Sequence, residues 1–188
     1  MCVLTFVTNQ ATAAVPPAPK LPADAYFLMD ATTGQVLVDH KGDLSLPSAS
    51  LTKIMTSYVL AEEVDAGRAS LDDMIKVSRN AWSQNPTFKG SSLMWIEPGK
   101  PVSLADLERG VVISSGNDAS VAVAEHLSGT ESSFVDVMNQ LAGELGLDNT
   151  VYRNPHGLPH PEHRTTARDL ATLSVALING HPKHYKIY

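Results

Sequence analysis

Pro47-Ser48-Ala49-Ser50-Leu51-Thr52-Lys53-Ile54-Met55-Thr56 sets a serine and a lysine three residues apart at the head of an apolar segment. From Ser50 to Ala66 helix formers dominate. Leu51, Ile54, Met55 and Tyr58 recur at helical spacing, Val59, Leu60 and Val64 widen the stripe, and Gly67 ends it. The pattern predicts a buried helix over 50–66. Residues i and i+3 share a helix face, so the Lys53 amine comes within reach of the Ser50 hydroxyl. A serine hydroxyl needs a neighbouring base to attack a carbonyl. A lysine, with a pKa of about 10.4 in water, is that base only if burial or another cation lowers it. The helix N-terminus adds N–H groups that favour negative charge on an attacked oxygen. Ser-x-x-Lys arises by chance about once in a chain this long, so the pair alone decides little.

Downstream, Ile113-Ser114-Ser115-Gly116-Asn117-Asp118-Ala119 is a polar turn between two apolar runs. By itself it reads equally well as a connection in which Ser115 or Asn117 caps a helix. Ser103-x-x-Asp106 and Thr166-x-x-Asp169 have the form of capping boxes and open helices near 103–113 and 166–179. A helix from Asn117 to Gly129 and another from Thr130 or Glu131 to Leu145 complete the set. Three prolines keep Pro155-His156-Gly157-Leu158-Pro159-His160-Pro161 out of any helix and predict a surface loop.

Upstream, Tyr26–Asp30 and Gln35–Asp39 flank a glycine turn and predict a hairpin. A hairpin alone is not stable, so this chain of helices implies an unfinished sheet. Before it, Val15-Pro16-Pro17-Ala18-Pro19 opens a Pro/Ala-rich linker over 15–24. Residues 1–14, an apolar run followed by small residues at Ala13 and Ala14, read as a signal-peptide remnant without its basic end.

At 43% hydrophobic and 18% charged residues the chain is a globular protein of one domain, here 25–188. A net charge of -6 argues against nucleic acid as a partner. One cysteine, Cys2, excludes an internal disulfide.

Ser50-Leu51-Thr52-Lys53 followed about sixty-five residues later by Ser115-Gly116-Asn117 resembles the first two motifs of the serine D-alanyl-D-alanine carboxypeptidases among the penicillin-binding proteins. Asn80-Ala81-Trp82, Gly90 through Met94, Ala119 through Glu125, His156-Gly157-Leu158 and Thr166 through Asp169 extend the likeness. It implies an α/β fold of α+β type, β-lactamase/transpeptidase-like, with a helical region and part of an antiparallel sheet. It further implies that Ser50 carries the acyl group, Lys53 is its base, Ser115 relays protons, and Gly116 and Asn117 bind substrate, with His156 a weaker candidate. The implied partners are a peptidoglycan stem peptide ending in D-Ala-D-Ala and β-lactam antibiotics, without metal or cofactor. The implied location is outside the cytoplasm, periplasmic or on the outer face of the membrane.

No lysine here is followed by Thr-Gly or Ser-Gly, the family's third motif. The reading is therefore of a truncated chain that lacks its C-terminal strands, the membrane-anchoring segment and, as a fragment, most of its activity. A D,D-endopeptidase or β-lactamase of the same superfamily and a non-catalytic binding fragment are the alternatives. Gly116, where endopeptidases carry glutamate, favours the carboxypeptidase. A metal module built on His156, His160 and His163 is the reading from another class, and solvated loop histidines are its bland counterpart.

Overall fold

The helix predicted over 50–66 is present as α1, Thr52–Asp65, and it is buried along most of its length. A computed structural model describes residues 18–188, so the signal-peptide reading of 1–14 and the first residues of the linker lie outside the described residues. A helix enclosed on several sides must be apolar around its circumference or find partners for its polar groups. α1 does both: Met55, Val59, Leu60 and Ala61 are core, while Thr52, Lys53 and Thr56 are equally buried and hydrogen-bonded.

The enclosing layer is helical. α2 (Leu104–Val112), α3 (Asn117–Ser128), α4 (Glu131–Glu144) and α5 (Ala167–Gly180) all pack on α1, around a core that includes Leu104, Leu107, Val121, Phe134, Met138 and Leu173. Side-chain caps start three of them. Ser103 Oγ accepts from the Asp106 N–H at 3.1 Å, Thr130 Oγ1 from Ser133 at 3.0 Å, and Thr166 Oγ1 from Asp169 at 3.1 Å. Each such cap contributes about 1 kcal/mol. A short α6, Pro182–Tyr185, follows with proline in its first turn, beyond the last helix that the periodicity predicted.

The predicted hairpin is β1 (Tyr26–Met29) paired antiparallel with β2 (Val36–His40), Tyr26 opposite His40. Arg168 pins it to α5: its guanidinium lies 4.5 Å from the Phe27 ring and donates to Asp39 and Asp43 at 2.6 and 2.7 Å. A second ribbon, β3 (Met74–Lys76) with β4 (Pro101–Ser103), was not legible, because three-residue strands are too short to show alternation. Among the described residues the two ribbons remain separate two-stranded sheets.

Ser50 is not in α1. It occupies a 3-10 turn, Ala49–Leu51, that precedes the helix. Ala49 has φ +46°, a left-handed conformation from which a helix cannot be extended backwards. Two large apolar side chains are on the surface: Trp95 is 74% exposed and Met74 62%.

Candidate active site

Three segments meet at the N-terminus of α1: the Ala49–Leu51 turn, the start of α3, and the loop at 154–157. Ser50 is exposed on its turn, Ser115 is half-buried with φ +51°, and Gly116 and Asn117 are buried at the head of α3. Gly116 is the N-cap of that helix, and Asn117 is its first residue, so neither Ser115 nor Asn117 serves as the cap. A Cβ at Gly116 would sit 3.0 Å from Asp118 Oδ1 and 3.1 Å from the Met94 nitrogen, so the middle of Ser-Gly-Asn is built closely around glycine.

The Lys53 amine is the centre of the arrangement. It is 4% exposed and donates at 2.7 Å to Asn117 Oδ1 and at 2.7 Å to the His156 backbone carbonyl. Burial lowers its pKa to about 8, against the opposing pull of the Asp118 carboxylate. A neutral amine has two hydrogens and one lone pair. The two acceptors take both hydrogens, which leaves the lone pair free to take a proton.

Asp118, which the sequence reading passed over, braces the site from behind. It is fully buried; Oδ1 accepts from the Met94 and Ala119 N–H groups at 2.8 and 2.9 Å, and Oδ2 from Ile96 at 3.1 Å. The carboxylate thereby ties the 92–96 segment to the head of α3, and the Asn117 N–H adds a bond to the Ser92 carbonyl at 2.9 Å.

The proline-rich loop is not a surface loop throughout. Asn154, Pro155, His156 and His163 are buried, and only residues 159–162 are exposed. The polar groups of α1 explain this, because they need acceptors that the loop's main chain provides. Thr56 Oγ1 donates to the Pro155 carbonyl at 2.5 Å, one residue before the carbonyl that holds Lys53. Gly157, at φ +85°, lies directly against the Ala49 main chain, where an added Cβ would collide with the Ala49 carbonyl and approach Thr52 Oγ1 to 2.8 Å. The His156 ring stands edge-on to Phe88 with Nε2 3.6 Å from Glu131 Oε1, and Nδ1 accepts from the Leu158 N–H at 3.1 Å. His156 thus reaches the site through its carbonyl, a contribution that side-chain identity cannot reveal. A groove of about 430 Å³, lined by Ser48, Ala49, Gly157, Leu158 and His160 among others, runs beside the Ala49–Leu51 turn.

The three loop histidines do not converge. His156 and His163 point to different partners and His160 is exposed. Among the described residues no group of three His, Cys, Asp or Glu side chains is placed to hold a metal ion.

A buried lysine thus stands beside a serine turn and a Ser-Gly-Asn turn, on a helical layer with antiparallel ribbons. Residues 9–188 match the family model described as D-alanyl-D-alanine carboxypeptidase, and the chain belongs to that family. The curated D-alanyl-D-alanine carboxypeptidase DacC of Escherichia coli K12 is 46% identical over 172 residues, which is 91% of this chain and 43% of the relative. The crystal structure of penicillin binding protein 6B from Escherichia coli superposes with a TM-score of 0.89 at 44% identity over 92% of this chain and 55% of that one. Penicillin binding protein 5 from Haemophilus influenzae gives a TM-score of 0.89 at 42% identity over 93% and 50%. The chain spans less than half of the curated relative's length.

Proposed function

We propose that the protein is a serine-type D-alanyl-D-alanine carboxypeptidase that takes the terminal D-alanine from peptidoglycan stem peptides, and that β-lactams acylate the same serine. The observation that carries this reading is Lys53: a buried amine with both hydrogens engaged, a pKa of about 8, three residues from an exposed serine. Lys53 takes the Ser50 proton as Oγ attacks the carbonyl between the two D-alanines. The peptide C–N bond breaks, the proton passes by way of Ser115 to the departing D-alanine amine, and an ester remains on Ser50 until water hydrolyses it. Asn117 holds Lys53 in place and lies where a substrate amide can bind, with Gly116 allowing close approach. His156 contributes its carbonyl. The Ser50 N–H at the helix head supplies one oxyanion donor, and the family resemblance assigns the second, with the substrate-carboxylate cation, to a Lys-Thr-Gly strand. Relatives named as penicillin-binding and carboxypeptidase proteins support a place of action outside the cytoplasm. No helix among the described residues is long and apolar enough to cross a membrane.

The close packing around Gly116 favours the carboxypeptidase over a D,D-endopeptidase, whose glutamate at that position would bring a Cβ into the space. The test is acylation of the full protein by a fluorescent penicillin, with the adduct mapped by mass spectrometry. The adduct is expected on Ser50 and is absent in Ser50→Ala. An adduct on another residue, or undiminished labelling of the variant, removes Ser50 from the role.

A further inference from the structure

A second buried chain of polar groups adjoins the turn that carries Ser50, and the proposed reaction does not use it. Ser48 Oγ is 2.7 Å from Thr52 Oγ1, which is 2.9 Å from His163 Nε2; the three residues are 3%, 0% and 5% exposed. On the far side of the ring, the Arg153 backbone N–H points at Nδ1 over 3.3 Å. A backbone N–H only donates, so Nδ1 carries the lone pair and Nε2 carries the hydrogen. Nε2–H therefore donates to Thr52 Oγ1, whose oxygen has two lone pairs, and between the Thr52 and Ser48 hydroxyls either can donate.

Ser48 and Thr52 are the two residues that flank the Ala49–Leu51 turn, and the Ser48 carbonyl also accepts the Leu51 N–H at 3.1 Å. Ala49 inside the turn is left-handed at φ +46°, a conformation that a non-glycine residue keeps only when its surroundings over-determine it. Building on the acyl-enzyme reading above, we propose that His163 is a positioning residue: as an Nε2–H donor it fixes Thr52 and Ser48, and through them the turn that presents Ser50 for acylation.

The surroundings keep the ring in that form. Burial, with His156, His160 and Arg153 nearby, lowers the His163 pKa to about 4. Tyr152 packs edge-on against the ring at 5.6 Å, and Glu162, the adjacent carboxylate, is engaged with Arg153 at 3.1 Å. Protonation of Nδ1 would set a second hydrogen against the Arg153 N–H and open the chain.

The experiment measures penicillin acylation of the full protein, separating the acylation rate constant from non-covalent affinity. His163→Phe keeps a ring against Tyr152 and removes both nitrogens; His163→Gln keeps an N–H donor. The Phe variant is expected to lose roughly 10- to 100-fold in acylation rate, the scale of a nucleophile misplaced by about an ångström, with affinity unchanged. The Gln variant recovers most of the loss. Thr52→Val breaks the chain at its middle and lowers the rate alike, which keeps the test sound if a His163 variant fails to fold. A wild-type rate in His163→Phe, a loss confined to affinity, or a Gln variant no better than Phe overturns the proposal. Nitrogen-15 NMR of the imidazole tests it without chemistry: Nε2–H with a neutral ring at pH 5 is expected, and an Nδ1–H tautomer or titration near 6.5 overturns it. Wild-type protein that takes no label overturns the acyl-enzyme reading instead, and the NMR result then decides whether His163 holds the turn.

Discussion

In the proposed reaction Lys53 acts only as a neutral amine, and two consequences belong to that one side chain. Acylation should climb with pH as the amine loses its proton through about 8 and level off above it, because the buried charged form is the disfavoured one. A rate that stays flat between pH 6 and 8 would mean that the lysine acts only as a charge. Lys53→Arg keeps the charge and cannot deprotonate; penicillin acylation should fall by roughly 10²–10⁴, the scale of a lost general base. Gly157 makes a separate claim at this scale. A methyl group there meets the Ala49 backbone, which cannot rotate aside, and φ +85° is strained for alanine as well. Gly157→Ala should therefore destabilise the fold by more than about 1 kcal/mol in urea melts and displace the Ser50 turn. Normal stability together with normal acylation would show that the loop and the turn move independently.

At the level of elements, α3 matters more for where it starts than for what it buries. Asp118 gathers three backbone N–H groups from α3 and the 92–96 segment onto one carboxylate. Asp118→Ala leaves donors buried without acceptors, and hydrogen bonds to a charged group contribute about 1.5–3 kcal/mol each. The urea midpoint should fall by an amount equivalent to at least about 3 kcal/mol, with Asn117 and so Lys53 displaced; a shift well under that would place the brace elsewhere. Helices α1 to α5 could be read from sequence, because each repeats an apolar spacing over several turns and three carry cap residues at Ser103, Thr130 and Thr166. The two motifs that contain Ser50, Lys53, Ser115 and Asn117 were legible, and the structure joins them through the Lys53–Asn117 hydrogen bond. His163, Asp118 and the burial of the 154–156 segment were not. Their roles arise from contacts across long stretches of chain, and a proline-rich segment gives no periodic sign that its carbonyls are needed inside.

Across the whole molecule, stability should be uneven. α1 and α3 are enclosed, whereas β1 and β2 form a two-stranded ribbon with Leu28, Val36 and Leu37 about half exposed, held to α5 chiefly through Arg168. Two-stranded ribbons are marginal by themselves, so hydrogen exchange at native pH should proceed through local opening at β1–β2 and only through global unfolding at Met55–Leu60. Equal protection in the two places would mean that the ribbon is as firmly integrated as the core helix.

The spacing of the groups around Lys53 also sets when the site comes into being. Its two acceptors lie 64 and 103 residues further along the chain. At typical synthesis rates, about 5–20 residues per second, the second acceptor leaves the ribosome roughly five to twenty seconds after the lysine. Until then Lys53 is an ordinary solvated ammonium and Ser50 an unactivated alcohol. A nascent or half-translocated chain carries the full Ser-x-x-Lys motif in an inert form. Of the three segments that meet at Lys53, the one made last, with the His156 carbonyl, decides when that amine is first enclosed.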